Sequence, residues 1–210
     1  AFRIAECSAI IAKLRRKKIM LTLHGGMLPV FFDTNSKRIE RVLKKANQIQ
    51  TPSIFLKSFF SEKGFEAIEY IPNPIDLSLF KFNRSNFKRK SVLWVRAFTD
   101  IYNPDFAVKV ILQIKKKYQD VHLTMVGPDK GLLSETKKLI QKLDLSSNIT
   151  ISGPIKNEEL FNYFHSHEVF INTTSYESFG VAVLEAAACG IPTVSNSVGE
   201  INYLWKNENN

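Results

Sequence analysis

Two glutamates, Glu177 and Glu185, stand eight positions apart in the stretch YESFGVAVLEAAACG, which begins at Tyr176. The residues between them are uncharged, and the small residues that follow end at Gly190. An ionised carboxylate only accepts hydrogen bonds, so each glutamate is suited to a group that donates them, such as a sugar hydroxyl. If the segment were helical throughout, about 12 Å would separate the two residues.

The same stretch lies where an apolar strand gives way to a helix, predicted to have Ser178, Phe179 and Gly180 in its first turn. Open parallel sheets bind ligands at the edge formed by the carboxyl ends of their strands, where such a helix begins. The unpaired amides of a helix start favour a phosphate. The pattern therefore predicts a ligand with a central diphosphate and a hydroxyl-rich group at each end. A structural alternative stays open. In it, Glu177 is only a helix-start residue that the helix dipole stabilises, and Glu185 is a surface or paired carboxylate.

The elements that would position these residues follow a regular alternation of strands and helices. Continuous apolar runs such as SVLWVRAF, from Ser91, are followed by helical patterns such as PDFAVKVILQIKKKY, from Pro104. Buried runs of this kind indicate parallel strands covered on both faces, and hence an α/β fold with a doubly wound parallel sheet. We predict three parts, namely a domain tail over 1–76, a linker over 77–90 and a ligand-binding domain over 91–210.

The composition is that of a globular chain, with 210 residues of which 44% are hydrophobic and 23% are charged. No apolar run reaches the roughly 18 residues of a membrane span, and Cys7 and Cys189 lack metal or redox spacing, which favours a reducing cytoplasm. The net charge of +9 favours anionic partners. Its basic clusters carry no interleaved aromatic residues, so we expect no nucleic acid partner.

The segment TTSYESFGVAVLEAAACGIPTVSNSVGE closely resembles the donor-binding signature of retaining glycosyltransferases with the GT-B fold, the glycosyl transferases group 1. The matching residues are Glu177, Phe179, Gly180, Glu185, Ala186, Ala188, Gly190, Pro192 and Val194. The segments LTLHGG, YIPNPIDLSLF, VHLTMVGPDKG and NITISGPIKNEEL also resemble parts of that family, so the resemblance runs from about Ile19 to the end. It implies two Rossmann-like domains, of which the first is represented here only by its tail.

The resemblance implies a role for each matching residue. Glu185 would hold the ribose of a nucleotide diphosphate sugar and Glu177 the transferred sugar, while His24 would approach that sugar from the acceptor domain. The remaining donor-binding residues would be Gly25, Gly153, Pro154, Ile155, Ser178, Phe179, Gly180 and Val181. The implied reaction retains the anomeric configuration and needs neither a metal ion nor a cofactor. Its protein groups would position the substrates and stabilise the leaving diphosphate.

The chain departs from the family pattern at the two cations that usually neutralise the diphosphate. The alignment on Asn103 and Pro104 puts Ala97 at the arginine position and Tyr102 at the lysine position, with Arg96 one place early. Arg96 and Tyr102 are therefore candidate phosphate contacts only. This departure keeps open a second hypothesis, a sugar-nucleotide-binding or partner module without catalysis.

Further expectations concern the ends of the chain and its partners. Glu200 directly follows Gly199, whereas the family places its glutamate three positions further along the chain. We therefore expect Glu200 to have a local role or none. The first residue is Ala, and the family carries more chain at both ends, so a fragment of a longer reading frame is expected. The acceptor would be a glycan or a lipid-linked group in cell-surface polysaccharide synthesis, with a cytoplasmic location and peripheral membrane contact through the basic segment 13–18. A dinucleotide oxidoreductase is disfavoured, because no strand is followed by G-x-G-x-x-G.

Overall fold

A computed structural model describes residues 2–205 and divides them into two compact units. Unit 1 contains residues 2–73, 176–179 and 198–205, and unit 2 contains residues 74–175 and 180–197. This division differs from a simple split along the chain, because two short segments that follow residue 175 belong to unit 1. The predicted domain limits at 76 and 91 stay a prediction, although three residues of the proposed linker, 88–90, are part of a strand.

Unit 1 has a three-stranded parallel sheet in the order β1-β2-β3. Its elements are α1 (Phe2–Leu14), β1 (Met20–Thr22), α2 (Leu28–Leu43), β2 (Gln48–Thr51), α3 (Ile54–Glu62), β3 (Ile68–Tyr70) and, near the other end of the chain, α8 (Ile201–Leu204). The core includes Phe32, Ile39, Leu56 and Phe60, which are almost completely buried. Apolar residues spaced as on one helix face therefore place α2 and α3 against the sheet.

Unit 2 has a five-stranded parallel sheet in the order β6-β5-β4-β7-β8. Its elements are β4 (Lys88–Val95), α4 (Pro104–Lys115), β5 (His122–Val126), α5 (Leu133–Lys142), β6 (Ile149–Gly153), α6 (Asn157–Ser166), β7 (His167–Asn172), α7 (Val181–Ala188) and β8 (Thr193–Ser195). The strand order reverses beside β4, which is the place where doubly wound sheets bind ligands. The prediction of an α/β fold with parallel strands is confirmed.

The core of unit 2 is built from the apolar runs that the sequence indicates as strands. Leu93, Trp94, Leu123 and Met125 have no exposed surface, and Trp94 packs against Phe98 at 5.1 Å between ring centroids. Strands buried this completely on both faces are typical of parallel sheets covered by helices. The buried core therefore fixes the ends of β4 and β7, where the polar residues of the candidate site lie.

The structure differs from the sequence predictions in two elements. It contains α1, where the sequence predicts no element, and it begins α2 at Leu28, well before Ser36, where the amphipathic pattern SKRIERVLKKANQI starts. The side chains of α1 do not separate into apolar and polar faces, because Ile4, Ile11 and Leu14 are all exposed. A periodicity argument depends on that separation, so it missed the helix.

Candidate functional site

Glu185 is the most deeply buried acidic residue of unit 2, with only 7% of its surface exposed. It lies on α7, where its neighbours Ala182, Val183 and Ala186 are buried as well. Burial raises the pKa of the Glu185 carboxyl to about 7, and the positive charge of Arg96 opposes that rise. Because a buried ionised carboxylate without hydrogen-bond donors is unfavourable, this group is suited to accept hydroxyl donors from a ligand.

Arg96 follows β4 and is held in place by two neighbours in unit 2. Its Nε donates a hydrogen bond to Oδ1 of Asn172 at 3.1 Å, and its guanidinium lies 5.2 Å from the ring centroid of Tyr102. Asn172, which ends β7 and is almost fully buried, donates in turn to Oγ of Ser195 at 2.9 Å. The two candidate phosphate contacts, Arg96 and Tyr102, are thus adjacent, and only Arg96 carries a positive charge.

The loop that carries Tyr102 is fastened to the residues that follow β7. The hydroxyl of Thr173 donates to the backbone oxygen of Tyr102 at 2.7 Å and accepts from Nε1 of Trp94 at 2.9 Å. The hydroxyl of Thr174 donates to the backbone oxygen of Ile101 at 3.2 Å. The hydroxyls of the two buried threonines therefore fix this loop. The sequence pattern did not indicate that role.

A pocket of about 230 Å³ opens at the carboxyl edge of the unit 2 sheet. Arg96 lines this pocket together with Pro154 and Ile155, two of the predicted donor-binding residues, and with Lys156. Gly153, which precedes them, has a left-handed backbone with φ of 74°. Val95 and Ala97, on either side of Arg96, line the pocket as well, and Lys156 adds a cation that the sequence pattern did not indicate.

The helix after Glu177 begins later than predicted. Gly180 is its N-cap, with a left-handed φ of 88°, and the first helical residue is Val181. Ser178 and Phe179 are therefore outside the helix, and their amides donate to Oε1 of Glu177 at 3.1 and 3.4 Å. The prediction that Ser178, Phe179 and Gly180 form the first turn of this helix is wrong, so the condition for a helical spacing between the two glutamates is not met.

In unit 1, His24 and Gly25 follow β1 and are exposed. Both line an apolar pocket of about 370 Å³, whose other walls include Phe2, Leu21 and Phe31. The next residue, Gly26, lies against the backbone of Glu177 and Ser178, since a Cβ on it would come within 3.2 Å of both. The structure thus brings the predicted residues after β1 into the same unit as Glu177.

Glu200 is a residue of unit 1 whose place the sequence did not reveal. Its side chain is fully buried, and Oε2 accepts from Oγ of Ser53 at 2.9 Å and from the amide of Phe55 at 2.8 Å. Burial and, after it, the negative charge of Glu200 raise the pKa of the Tyr70 hydroxyl. In the sequence, Glu200 stands out only because it is displaced from the family's glutamate position. That displacement does not indicate which residues it contacts.

The predicted site residues therefore form two groups, one in each unit. Unit 2 holds Arg96, Tyr102, Gly153, Pro154, Ile155, Gly180, Val181 and Glu185, and unit 1 holds His24, Gly25, Glu177, Ser178 and Phe179. Within residues 2–205, no group of three or more His, Cys, Asp or Glu side chains is arranged to hold a metal ion. None of the helices described here is long and apolar enough to cross a membrane.

Comparison with known proteins gives the class of this chain. The family model described as glycosyl transferases group 1 matches residues 78–210, which is more than half of the sequence. The chain belongs to that family. The resemblance inferred from the motif is thereby confirmed.

Two curated relatives show how much of a longer protein this chain represents. It is 28% identical over 141 residues to a subunit of the human phosphatidylinositol N-acetylglucosaminyltransferase, covering 65% of this chain and 28% of the relative. It is also 28% identical over 152 residues to the D-inositol 3-phosphate glycosyltransferase of Paenarthrobacter aurescens, covering 65% of this chain and 36% of the relative. The chain thus spans about a third of the length of these relatives.

Solved structures support the fold. HepE of Anabaena, solved with UDP and glucose, matches with a TM-score of 0.84 at 19% identity, over 98% of this chain and 60% of that one. TarM of Staphylococcus aureus matches with a TM-score of 0.78 at 17% identity, over 92% of this chain and 40% of that one. At such low identity the likeness concerns the fold alone, and it agrees with the predicted GT-B type.

Proposed function

We propose that the protein takes part in transfer of a sugar from a nucleotide diphosphate sugar to an acceptor, with retention of the anomeric configuration. The observation that carries the proposal is the buried carboxyl of Glu185, whose pKa is raised to about 7 within the electrostatic reach of Arg96. A carboxyl held in this state, in a family of glycosyl transferases, is suited to the ribose hydroxyls of a nucleotide.

Unit 2 supplies the groups that the nucleotide end of the donor needs. Pro154, Ile155 and Lys156 line the pocket that would take the base. Arg96 lines it too, and its guanidinium is bonded to Asn172 at the end of β7. A diphosphate is stabilised by such cations and by the amides at the start of α7. HepE, solved with UDP and with UDP-glucose, supports this ligand class.

Unit 1 supplies groups suited to the transferred sugar. Glu177 would accept sugar hydroxyls, and the exposed His24 would approach the same sugar or the leaving phosphate. The chemistry requires no protein nucleophile in the front-face scheme, where the leaving phosphate accepts the proton of the attacking acceptor hydroxyl. The protein then contributes by positioning the reactants and by stabilising the charge that develops on the diphosphate.

The acceptor end is proposed to be a glycan or a lipid-linked group in surface glycan assembly. The apolar pocket beside His24 favours an acceptor with an apolar portion. The exposed Ile11 and Leu14 of α1 adjoin the basic segment 13–18, a combination that binds anionic membrane surfaces. Flotation with anionic and with neutral vesicles tests this contact. Equal recovery with both vesicle types would contradict it.

A second candidate, a sugar-nucleotide-binding module without catalysis, is favoured by one observation. Tyr102 occupies the position of the family lysine, and Arg96 is bonded to Asn172 and lies over the Tyr102 ring. The diphosphate would then meet fewer mobile cations than in the family pattern. Transfer of a labelled sugar by a protein that carries this sequence would eliminate this candidate.

The first experiment is nucleotide binding by calorimetry with UDP, GDP, ADP and their common sugar conjugates. We expect one diphosphate to bind, and we expect Glu185→Ala to weaken it by roughly 10- to 100-fold, the range for a lost hydrogen bond to a charged group. Glu135→Ala, a change at an exposed glutamate of α5, is the matched control and leaves the affinity unchanged. If the folded protein bound none of these ligands, the proposed function would be wrong for this chain.

Arg96 offers a separate test of the phosphate contact. Arg96→Met removes the charge and keeps much of the side-chain volume, so we expect weaker binding of the diphosphate and little change for the free nucleoside. Arg96→Lys restores the charge and is expected to recover part of the affinity. Equal losses for nucleoside and diphosphate would place Arg96 away from the phosphates.

A further inference from the structure

Glu200 lies at the start of a helix that is distant from it in the sequence. Its Oε2 accepts from the hydroxyl of Ser53 and the amide of Phe55, the N-cap and the second residue of α3. The Ser53 hydroxyl also accepts from the amide of Leu56 at 3.0 Å. A carboxylate at this position satisfies amides that a helix leaves unpaired and complements the helix dipole. Glu200 therefore anchors residues 198–205 to α3.

The anchored segment holds the backbone of Glu177. The amide of Glu200 donates to the backbone oxygen of Glu177 at 3.1 Å. The preceding residue, Gly199, has a left-handed φ of 52°, and a Cβ on it would lie 2.0 Å from that same oxygen. Only glycine permits this approach, so the position of Glu177 depends on where Gly199 and Glu200 are placed.

A second contact comes from the loop after β1. A Cβ on Gly26 would lie 3.1 to 3.2 Å from backbone atoms of Glu177 and Ser178. The carboxylate of Glu177 accepts from the amides of Ser178 and Phe179, which fixes the side chain relative to its own backbone. The backbone of Glu177 is thus fixed by its contacts with the anchored segment and with Gly26. Its side chain is fixed by the amides of the turn that follows it.

We propose that Glu200 is a positioning residue, which sets the place of the Glu177 carboxylate by fixing residues 199–200 to α3. The proposal rests on the proposed function for the assignment of Glu177 to the transferred sugar. It assigns to the displaced glutamate a task in sugar recognition rather than direct contact with the ligand. Oε1 of Glu200 is buried and has no hydrogen-bond partner within residues 2–205, so Oε2 alone makes the side-chain bonds of the anchor.

The first test needs no ligand and uses hydrogen exchange. In Glu200→Ala we expect the amides of residues 178 and 179 to exchange about tenfold faster or more, because a hydrogen-bonded anchor has been removed. Glu200→Gln retains an oxygen for both donors and is expected to stay near the wild type. Asn47→Ala is the control, since it removes a side-chain bond to the amide of Ile19 at the opposite end of β1.

Exchange at residues 178 and 179 that stayed within about twofold in Glu200→Ala would overturn the proposal, as would an equal increase in Asn47→Ala. Gly199→Ala serves where Glu200→Ala does not fold, because the added Cβ displaces the Glu177 oxygen without touching Ser53. The same local increase is expected from it. An unchanged exchange pattern in that variant would also overturn the anchoring step.

The second test measures what the sugar adds to binding. We compare the affinity for the nucleotide diphosphate with that for its sugar conjugate, and expect Glu200→Ala to remove the difference while the affinity for the diphosphate changes less than about twofold. Faster exchange with an unchanged sugar contribution would refute the positioning role. A wild type that bound no nucleotide would refute the proposed function instead, and hydrogen exchange would still decide whether Glu200 anchors Glu177.

Discussion

Glu185 in unit 2 and Glu200 in unit 1 are both buried glutamates, but their surroundings differ. Glu200 accepts hydrogen bonds from Ser53 and from the amide of Phe55 at the start of α3. Glu185 lies among the small apolar residues of α7, and within residues 2–205 its carboxylate accepts no hydrogen bond. Its pKa is raised to about 7 by burial, with only the charge of Arg96 acting in the other direction.

This contrast shows how a buried carboxylate can be interpreted. A group that the fold itself supplies with donors stabilises the native state, whereas a group that is buried without them costs stability and is retained for another reason. Ligand binding is the most direct reason, because hydroxyl donors would complete the environment that the protein leaves incomplete. The contrast therefore supports the proposals that Glu185 contacts the ligand and that Glu200 positions Glu177.

The largest expected effect is on stability at Glu200. Glu200→Ala leaves the Ser53 hydroxyl and the Phe55 amide without their acceptor, so we expect the free energy of unfolding to fall by about 2–4 kcal/mol. Urea unfolding followed by circular dichroism measures the change. Glu69→Ala, at an exposed glutamate of β3, is the control. A loss below about 0.5 kcal/mol would show that the hydrogen bonds to Glu200 do not stabilise the native state.

Glu185→Gln should act in the opposite direction, and only at higher pH. The folded-state pKa of about 7 lies above the ordinary value of 4.5, so ionisation of Glu185 lowers stability progressively as the pH rises between these values. Removing the ionisable group should then raise the unfolding free energy by roughly 2–3 kcal/mol at pH 8 and by little near pH 4.5. Thermal unfolding of both proteins across this range measures it. A gain that did not depend on pH would contradict the role of burial.

The pH dependence of binding sharpens the same comparison. If the ionised carboxylate of Glu185 accepts ribose hydroxyls, affinity for the nucleotide should rise about tenfold between pH 6 and pH 8, as the ionised fraction grows through a pKa of about 7. Calorimetry at several pH values measures this rise. The nucleotide phosphates also titrate, so the same series with Glu185→Gln is the control. Identical slopes for the two proteins would exclude Glu185 as the source.

The sequence was sufficient for the general fold and for the family. Continuous apolar runs such as those of β4 and β5 indicate buried parallel strands, and the alternation with helices follows from them. The start of α7 was predicted three residues early, because Gly180 adopts a left-handed backbone that ends the preceding turn. A glycine permits that conformation without requiring it, so the pattern alone cannot locate the helix start.

The support for Glu177 could not be predicted for a different reason. Ser53 and Glu200 are separated by 147 positions, and nothing in either local segment indicates the other. The pairing depends on where the fold returns the chain, which is a tertiary property. Likewise, the sequence does not indicate that the Arg96 side chain donates to Asn172 at the end of β7, because the direction of a residue at a strand end is set by the loop that follows.

The smallest expected effect separates the two partners of Glu200. Ser53→Ala removes the hydroxyl that donates to Glu200 and caps the amide of Leu56, but leaves the bond from the Phe55 amide. We expect a loss of about 1 kcal/mol, as for other helix N-caps. Ser53→Thr retains a hydroxyl and is the matched variant, and urea unfolding again gives the measurement. In Glu200→Ala the same serine change should cost less than in the wild type, because one of its two bonds is already gone. Equal costs in both backgrounds would mean that the serine and the glutamate act independently, and Glu200 would then depend on the Phe55 amide alone.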